Sequence, residues 1–193
     1  MPHRNAGAFA PTDIDADAAA LTVRWDARWP GAQPSGPSLR AAYPDRWVRL
    51  YTLPQGRRPA RTPAERAEVH GRIAAVRAAL ADGRDPLVVG EDWDAADGVG
   101  GWTRRLLPAA RPWRIATVGD APSYFWVTAG SDLRPVVDAV IDDRAAVVLA
   151  DPDLGGVLAP YDGGIDVFCV DVAARDAIAR RFAPWVSPRA DGR

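Results

Sequence analysis

The sequence predicts an α+β fold, in which a mostly antiparallel sheet of about five to seven strands carries three to four helices. Three observations lead to this class. Short turn signals join the strand-like segments more often than helical crossovers do, the helical segments begin at recognisable N-cap residues, and apolar periodicity switches between the two types. The chain has 193 residues, enough for one domain. We place that domain at residues 12–193, after a flexible N-terminal arm of residues 1–11.

The first predicted helix begins near Thr12, which with Asp15 resembles a capping box. Its apolar residues recur at helical spacing: Ile14, Ala18, Leu21, Trp25 and Trp29. Pro30 and Gly31 end this helix, and residues 30–38 are predicted to form a loop. Residues 46–53 are rich in aromatic and branched side chains and are therefore predicted to form a strand.

The second predicted helix has a complete N-terminal signature. Thr62 is its N-cap, Pro63 its first residue and Glu65 the partner in a capping box. The apolar stripe of this helix is Val69, Ile73, Val76 and Leu80. Residues 87–89 are predicted to form a short strand, and residues 90–112 a long irregular loop rich in Asp and Gly.

The second half of the chain is predicted to contain mainly strands, at residues 113–118, 124–128, 145–149, 157–161 and 165–170. Its strongest hairpin signal is Asp162-Gly163-Gly164. Ser131 is predicted to cap a helix that continues to Ile141, and Asp171 to cap the last helix.

Composition excludes several classes of protein. The net charge is −1, which argues against a nucleic-acid binder because phosphate binding needs a basic excess. All 24 basic residues are Arg and 22 of the 25 acidic residues are Asp, a bias typical of GC-rich bacterial genomes. The single cysteine, Cys169, excludes an intrachain disulfide and is predicted to be a buried apolar residue. Without a long apolar run or a secretory signal we expect a cytoplasmic protein that contacts no membrane. One cysteine and two histidines, with no Walker-A lysine and no dinucleotide fingerprint, lead us to expect no metal and no cofactor.

Two arginines form the first candidate site. Arg57 and Arg58 lie in the loop before a predicted helix N-terminus, where unpaired N–H groups and guanidinium groups together favour an anion. Residues 56–72 carry five Arg and two Glu, whereas residues 82–97 carry one Arg and six acidic residues. Two interpretations stay open: the segments neutralise each other across the fold, or they contact an external anion and a partner.

The acidic segment supplies the second candidate site. Asp92, Asp94 and Asp97, together with Trp93, are predicted to form a partner-binding surface, because a charged rim around an aromatic residue is typical of interfaces. His70 lies at the edge of an apolar helical stripe. It is predicted to be a partly buried histidine bonded to a neighbour, and the alternative is a general base.

Three short segments resemble a known family. The segment Leu53-Pro54-Gln55-Gly56-Arg57-Arg58-Pro59 resembles the SLP-x-(S/G)-(K/R)-R segment of the bacterial domain of unknown function 3885. Residues 159–166 resemble that family's YDGG(x)D hairpin, and residues 182–189 with Gly192 its closing W-(L/V)-S pattern. The resemblance covers about residues 40–193. Tyr51 departs from it, since His is commoner there, and residues 90–112 have no counterpart.

The resemblance implies no established activity, but small bacterial domains of this kind often accompany polymorphic toxins as immunity proteins. We therefore expect a non-enzymatic, immunity-like domain that binds a toxin-like protein partner. The alternative is an enzyme or sensor for a small phosphorylated ligand, with Arg57 and Arg58 holding the anion and His70 moving a proton.

Overall fold

An antiparallel sheet forms the centre of the computed structural model, which describes residues 15–93, 101–118, 121–130 and 132–188. Its strands are β1 (Trp47–Tyr51), β2 (Leu87–Asp92), β3 (Arg111–Val118), β4 (Ala121–Ala129), β5 (Ala146–Ala150), β6 (Gly156–Tyr161) and β7 (Gly164–Cys169). They are hydrogen-bonded in the order β1-β7-β6-β5-β2-β4-β3, and every neighbouring pair is antiparallel. The predicted α+β class is therefore confirmed.

The described residues form six α-helices, more than the three to four predicted. They are α1 (Ala16–Arg28), α2 (Gly36–Ala42), α3 (Pro63–Ala81), α4 (Trp102–Leu106), α5 (Arg134–Ile141) and α6 (Val172–Arg181). The two short helices, α2 and α4, account for the difference, because neither is long enough to show a helical period in the sequence. None of the described helices is long and apolar enough to cross a membrane.

The sheet has a different apolar core on each face. Helices α3, α5 and α6 cover one face, which we call the α3 face, with a core that includes Leu50, Ile73, Val76, Val137, Leu158 and Val167. Helices α1 and α2 cover part of the other, the α1 face, with a core that includes Trp25, Trp29, Leu39, Trp113, Phe125 and Phe168. Because side chains alternate along a strand, consecutive residues of β1 and β7 face opposite cores.

Tryptophans join α1 to the sheet. Trp25 and Trp29 are fully buried, and their indole N–H groups donate to the carbonyl oxygens of Ala32 (2.8 Å) and Leu154 (3.0 Å). Trp113 on β3 meets Trp25 edge to face, with the ring centroids 5.6 Å apart. These side chains therefore belong to the core, since each has both an apolar environment and a partner for its N–H group.

Several predicted boundaries are corrected by the structure. Asp15, and not Thr12, is the N-cap of α1, because its carboxylate accepts from the Ala18 N–H group; Thr12 lies outside the described residues. Residues 30–38 include the start of α2 as well as a loop. Leu133 occupies the N-cap position of α5, while Ser131 lies outside the described residues.

The segment predicted as a long irregular loop, residues 90–112, contains a short helix and the ends of two strands in its described part. Strand β2 continues to Asp92, α4 follows Gly101, and β3 begins at Arg111. Residues 94–100 lie outside the description. Pairing with both β5 and β4 extends β2 beyond its apolar residues, since backbone hydrogen bonds do not depend on side-chain polarity.

The strongest local predictions are confirmed. Asp162 and Gly163 form a two-residue turn between β6 and β7, with Tyr161 opposite Gly164. The Thr62 hydroxyl accepts from the Glu65 N–H group (3.2 Å), and the Glu65 carboxylate accepts from the Thr62 N–H group (3.0 Å), which completes the predicted capping box. Asp171 caps α6 through the Ala174 N–H group.

We expect Thr62→Ala to lower the free energy of unfolding by about 1 kcal/mol, because it removes the cap oxygen of α3. Urea denaturation followed by circular dichroism measures the change. Thr62→Ser retains the hydroxyl and is expected to keep the stability of the original protein. An equal loss in both variants would show that the cap hydrogen bond does not stabilise the domain.

Candidate functional site

A buried ion pair lies on the α1 face, between β1 and β7. Arg49 and Asp166 stand directly opposite each other, and the guanidinium donates to both carboxylate oxygens, from Nε at 2.7 Å and from Nη2 at 2.9 Å. Their side chains are 9% and 5% exposed. Arg40 of α2 adds a third hydrogen bond to the same carboxylate, at 3.0 Å. One carboxylate therefore holds two strands and a helix together.

This cluster has an excess of positive charge, since two arginines share one carboxylate. Burial by itself lowers the pKa of Arg49, but the hydrogen bonds and the charge of Asp166 outweigh it and raise the pKa above its ordinary value. The Arg49 guanidinium also lies over the rings of Tyr161 (4.9 Å to the centroid) and Trp47 (5.2 Å). These contacts hold a permanent cation at a defined position beside open space.

Two tyrosines occupy the next row of the same face. Tyr51 of β1 and Tyr161 of β6 both stand opposite Gly164 of β7. A Cβ atom at Gly164 would lie 2.5 Å from the Tyr161 hydroxyl, so that glycine leaves the space that the phenol occupies. Burial raises the pKa of Tyr161 to about 12. The Tyr161 hydroxyl therefore keeps its proton at neutral pH and can donate a hydrogen bond.

Arg58 reaches the same region from the loop after β1. Its side chain crosses Gly163, where a Cβ atom would come within 2.9 Å of the Arg58 Cδ atom. The guanidinium is 3.6 Å from the Asp162 carboxylate and the side chain is 63% exposed. Such an exposed, loosely paired guanidinium remains accessible to an incoming anion.

Arg49, Arg58 and the two tyrosines line one cavity of about 880 Å³, which we call the motif groove. Its lining is Arg49, Tyr51, Gln55, Gly56, Arg58, Tyr161, Gly163, Pro184, Val186 and Pro188. All of these except Arg49 and Tyr51 belong to the three segments on which the family resemblance rests. Within the described lining there are two arginines and no acidic side chain. The groove is therefore suited to an anion.

Hydrogen bonds to β1 hold residues 184–188 against the motif groove. The Ser187 N–H group donates to the Arg49 carbonyl oxygen at 3.0 Å, and the Ser187 hydroxyl donates to the Tyr51 hydroxyl at 3.1 Å. Segments more than a hundred residues apart in the chain thus form one wall. Tyr51 lies inside the groove and is a phenolic donor there.

A second cavity, which we call the Trp93 cavity, adjoins the motif groove and has a volume of about 390 Å³. Arg49, Arg58 and Tyr161 line both cavities. Arg40, Asp143 and Asp166 also line the Trp93 cavity, and its other walls are mostly small or apolar. Glu91 and Trp93 lie at the β2 end. Burial raises the pKa of Glu91, and a hydrogen bond with Ser123 opposes that shift.

The structure separates the two arginines of the predicted anion site. Arg57 pairs with Glu65 at 3.0 Å and does not line the motif groove, whereas Arg58 does. The Glu65 carboxylate also accepts from the N–H groups of Arg61 and Thr62. The chain's own Glu65 therefore occupies the α3 N-terminus where an external anion was predicted, because the capping box supplies that carboxylate.

The predicted charge complementarity between residues 56–72 and 82–97 is not formed within the described part of the chain. Arg66 pairs with Asp138 and Asp142 of the α5 region, and Arg84 pairs with Asp153. Arg57 and Arg72 pair within their own block, with Glu65 and Glu68, so neither block supplies the partners of the other.

Two of the four residues of the predicted acidic surface, Asp92 and Trp93, lie in the described part of the chain. Asp92 is 1% exposed and accepts a hydrogen bond from the Thr103 hydroxyl at 2.7 Å, so its carboxylate faces the interior beside α4 and not the solvent. Trp93, the next residue, is 52% exposed. Asp94 and Asp97 lie outside the described residues, and their partner-binding role stays a prediction.

His70 lies on the opposite side of the sheet from the motif groove. Its Nε2 atom is 2.9 Å from the Asp138 carboxylate and its side chain is 14% exposed, as predicted for a partly buried, bonded histidine. The shallow cavity beside it shares no lining residue with the motif groove. The structure therefore does not bring His70 together with Arg57 or Arg58. Cys169 is 1% exposed, as predicted, and burial raises the pKa of its thiol to about 11.

Sequence reasoning missed Arg49 and Asp166. The available signal was a charged residue at an alternating position of each strand, between Val48 and Leu50 and between Ile165 and Val167. A charge in such a strand needs a paired charge across the ladder. In the described residues no group of three or more His, Cys, Asp or Glu side chains is placed to hold a metal ion.

We expect Asp166→Asn to lower the free energy of unfolding by about 3 kcal/mol, because it leaves the buried Arg49 charge without its carboxylate. Asp26→Asn is the matched control: Asp26 also accepts two hydrogen bonds from one arginine, Arg114, but its side chain is 52% exposed. Its expected loss is below about 1 kcal/mol. Equal losses in urea denaturation would contradict the central role of the buried pair.

A comparison with known proteins places the chain in a family. No curated protein and no solved structure gave a significant match. A family model described as "Domain of unknown function (DUF3885)" matches residues 36–190, most of the chain, and so confirms the resemblance predicted from the three motifs. With those motifs lining one groove and the family model spanning the whole sheet and every described helix after α1, the chain belongs to the DUF3885 family.

Proposed function

We propose that this domain binds a small ligand bearing a phosphate or carboxylate group in the motif groove. The observation that carries the proposal is the convergence of three separate family motifs on one cavity whose described lining contains two arginines and no acidic side chain. Arg58 of the first motif is 63% exposed, so its guanidinium is not part of the core. A cavity with convergent polar groups favours a ligand.

The groove offers several donors to an anion. Arg49 is held rigidly by Asp166, so binding it costs little side-chain entropy. Arg58 on the other side supplies a second guanidinium, which can form paired hydrogen bonds with two oxygens of a phosphate or carboxylate. Tyr51 and Tyr161 add hydroxyl donors between them. A phosphorylated ligand was the alternative predicted from the sequence, with Arg57 and Arg58 as its site; in the groove, Arg49 takes the place of Arg57.

The proposed activity is binding or sensing and not the proton transfer first considered for His70. That histidine lies on the α3 helix and bonds Asp138, away from both arginines of the groove. A ligand in the groove meets guanidinium and phenol groups, and the Tyr161 phenol stays protonated because of its raised pKa of about 12. These groups recognise an anion without exchanging protons at neutral pH.

We expect inorganic phosphate to raise the melting temperature of the domain, and Arg58→Ala to weaken phosphate binding by about tenfold or more, because a charge-assisted hydrogen bond is lost. Arg57→Ala is the matched control. Arg57 is adjacent and similarly exposed, at 57% against 63%, but pairs with Glu65 outside the groove. Isothermal titration compares the affinities. Equal weakening in both variants, or no phosphate effect on the original protein, would rule out the groove as an anion site.

A second candidate function is an immunity-like role in the bacterial cytoplasm, in which the domain binds a toxin-like protein. Its support is Trp93, a large aromatic side chain that is 52% exposed and that precedes Asp94 in the sequence. Exposed tryptophans are enriched among the residues that dominate interface energies. This candidate uses the β2 end of the sheet and leaves the motif groove free.

We expect Trp93→Ala to weaken binding of the protein encoded by the neighbouring gene by about tenfold or more, since loss of an anchoring aromatic costs more than 1 kcal/mol. Val23→Ala, another exposed apolar position at 71% on α1, is the control and is expected to leave affinity unchanged. Titration by surface plasmon resonance measures both. Unchanged affinity in the Trp93 variant would remove this surface from the interface.

A further inference from the structure

The motif groove and the Trp93 cavity form one continuous binding region. Three residues, Arg49, Arg58 and Tyr161, line both cavities. The region crosses the α1 face from β1 through β7, β6 and β5 to β2. Neighbouring strands lie about 4.8 Å apart, so this path spans roughly 19 Å. A ligand anchored at the arginines therefore has room to extend toward β2.

The β2 end of this region contains an unneutralised carboxylate. Glu91 lines the Trp93 cavity and forms no ion pair with an arginine within the described residues. Burial raises its pKa, and a hydrogen bond with Ser123 opposes that shift. Ala146, which stands directly opposite Glu91 in β5, is too small to cover it. A half-buried carboxylate is stabilised by N–H donors, so a ligand that brings such donors gains affinity here.

Flat apolar surfaces lie beside that carboxylate. Trp93 is 52% exposed and lines the cavity. Pro34, Pro37 and Pro160 contribute further apolar lining. Aromatic side chains bind planar rings by stacking, as they do with unpaired nucleobases. The Trp93 cavity therefore suits a planar ring whose edge carries N–H donors.

We propose that the two cavities together bind a guanine nucleotide, with its 5′-phosphate between Arg49 and Arg58 and its base beside Trp93. Guanine presents two adjacent N–H donors, on N1 and on the exocyclic N2, which match the two oxygens of the Glu91 carboxylate. Adenine has an unprotonated N1 there and no N2 group. The Arg49 guanidinium extends from β1 to lie 4.9 Å from the centroid of the Tyr161 ring on β6. From β6 to β2 there are two strand spacings, about 10 Å. That distance is comparable with the span from phosphate to base edge in a nucleoside monophosphate.

The experiment measures the affinity of the full chain for four probes by isothermal titration: GMP, AMP, ribose 5-phosphate and L-arginine. This inference rests on the proposed anion site, and ribose 5-phosphate tests that site alone. We expect GMP to bind at least about tenfold more tightly than AMP or ribose 5-phosphate, the discrimination typical of a paired base contact. L-Arginine carries both an anion and N–H donors but no ring, and is expected to bind more weakly than GMP.

Two variants locate the base. Glu91→Gln presents an N–H group to the guanine donors, and we expect it to reduce the GMP preference to about threefold or less while ribose 5-phosphate affinity stays unchanged. Ala146→Leu narrows the Trp93 cavity without altering charge and is expected to have the same effect. A thermal melt of each variant confirms folding, and agreement between them guards against a folding defect in one.

The outcomes separate the two proposals. Equal affinities for GMP and ribose 5-phosphate overturn the nucleotide inference and leave the anion site standing. Tighter binding of AMP or L-arginine than of GMP also overturns it. Absence of binding for every phosphate-bearing probe overturns the proposed function together with this inference. A GMP preference that survives in both Glu91→Gln and Ala146→Leu shows that the base binds elsewhere and overturns the assignment of the Trp93 cavity.

Discussion

The buried pairing of Arg49 with Asp166 is the constraint on which the α1 face depends. Burial of an isolated charge is costly, so each of these side chains tolerates its position only because the other is present. The pairing also fixes the register of β1 against β7, since a slip of β1 by one residue would send Arg49 into the apolar core of the α3 face and leave Asp166 without its partner. Arg40 extends the constraint to α2 through the same carboxylate. The pairing that folding requires therefore also fixes the Arg49 guanidinium at the wall of the motif groove.

The glycines of the family motifs have a common physical role at this site. Gly164 leaves space for the Tyr161 phenol, and Gly163 leaves space for the stem of Arg58. Gly56 stands against the Tyr51 ring, where a Cβ atom would approach within 2.9 Å. In each case the absence of a side chain on the glycine lets a tyrosine ring or an arginine stem lie against the backbone. The motifs describe the shape of the groove as much as its chemistry.

The two faces of the sheet are covered to different extents, and this difference creates the cavities. On the α3 face, long and medium helices pack apolar stripes onto the strands and leave a dense core. On the α1 face, α1 and the short α2 cover the tryptophan-rich part of the sheet. The strand rows near Tyr51, Tyr161 and Glu91 lie beyond them and open into the motif groove and the Trp93 cavity. Small residues such as Ala146 and Ala159 maintain that opening.

Local chemistry in the sequence by itself determined the α+β class, the β6–β7 hairpin, the caps of α3 and α6, and the burial of Cys169. These features depend on neighbouring residues, such as a two-residue turn or a side chain that binds an N–H group three residues ahead. The family motifs were also visible, but not their meeting point. Only the tertiary structure decided that Arg58 and not Arg57 faces the groove, that Asp92 is buried, and that Arg49 pairs with Asp166. Those outcomes depend on which strands become neighbours, and residues 117 positions apart in the chain carry no local sign that they will touch.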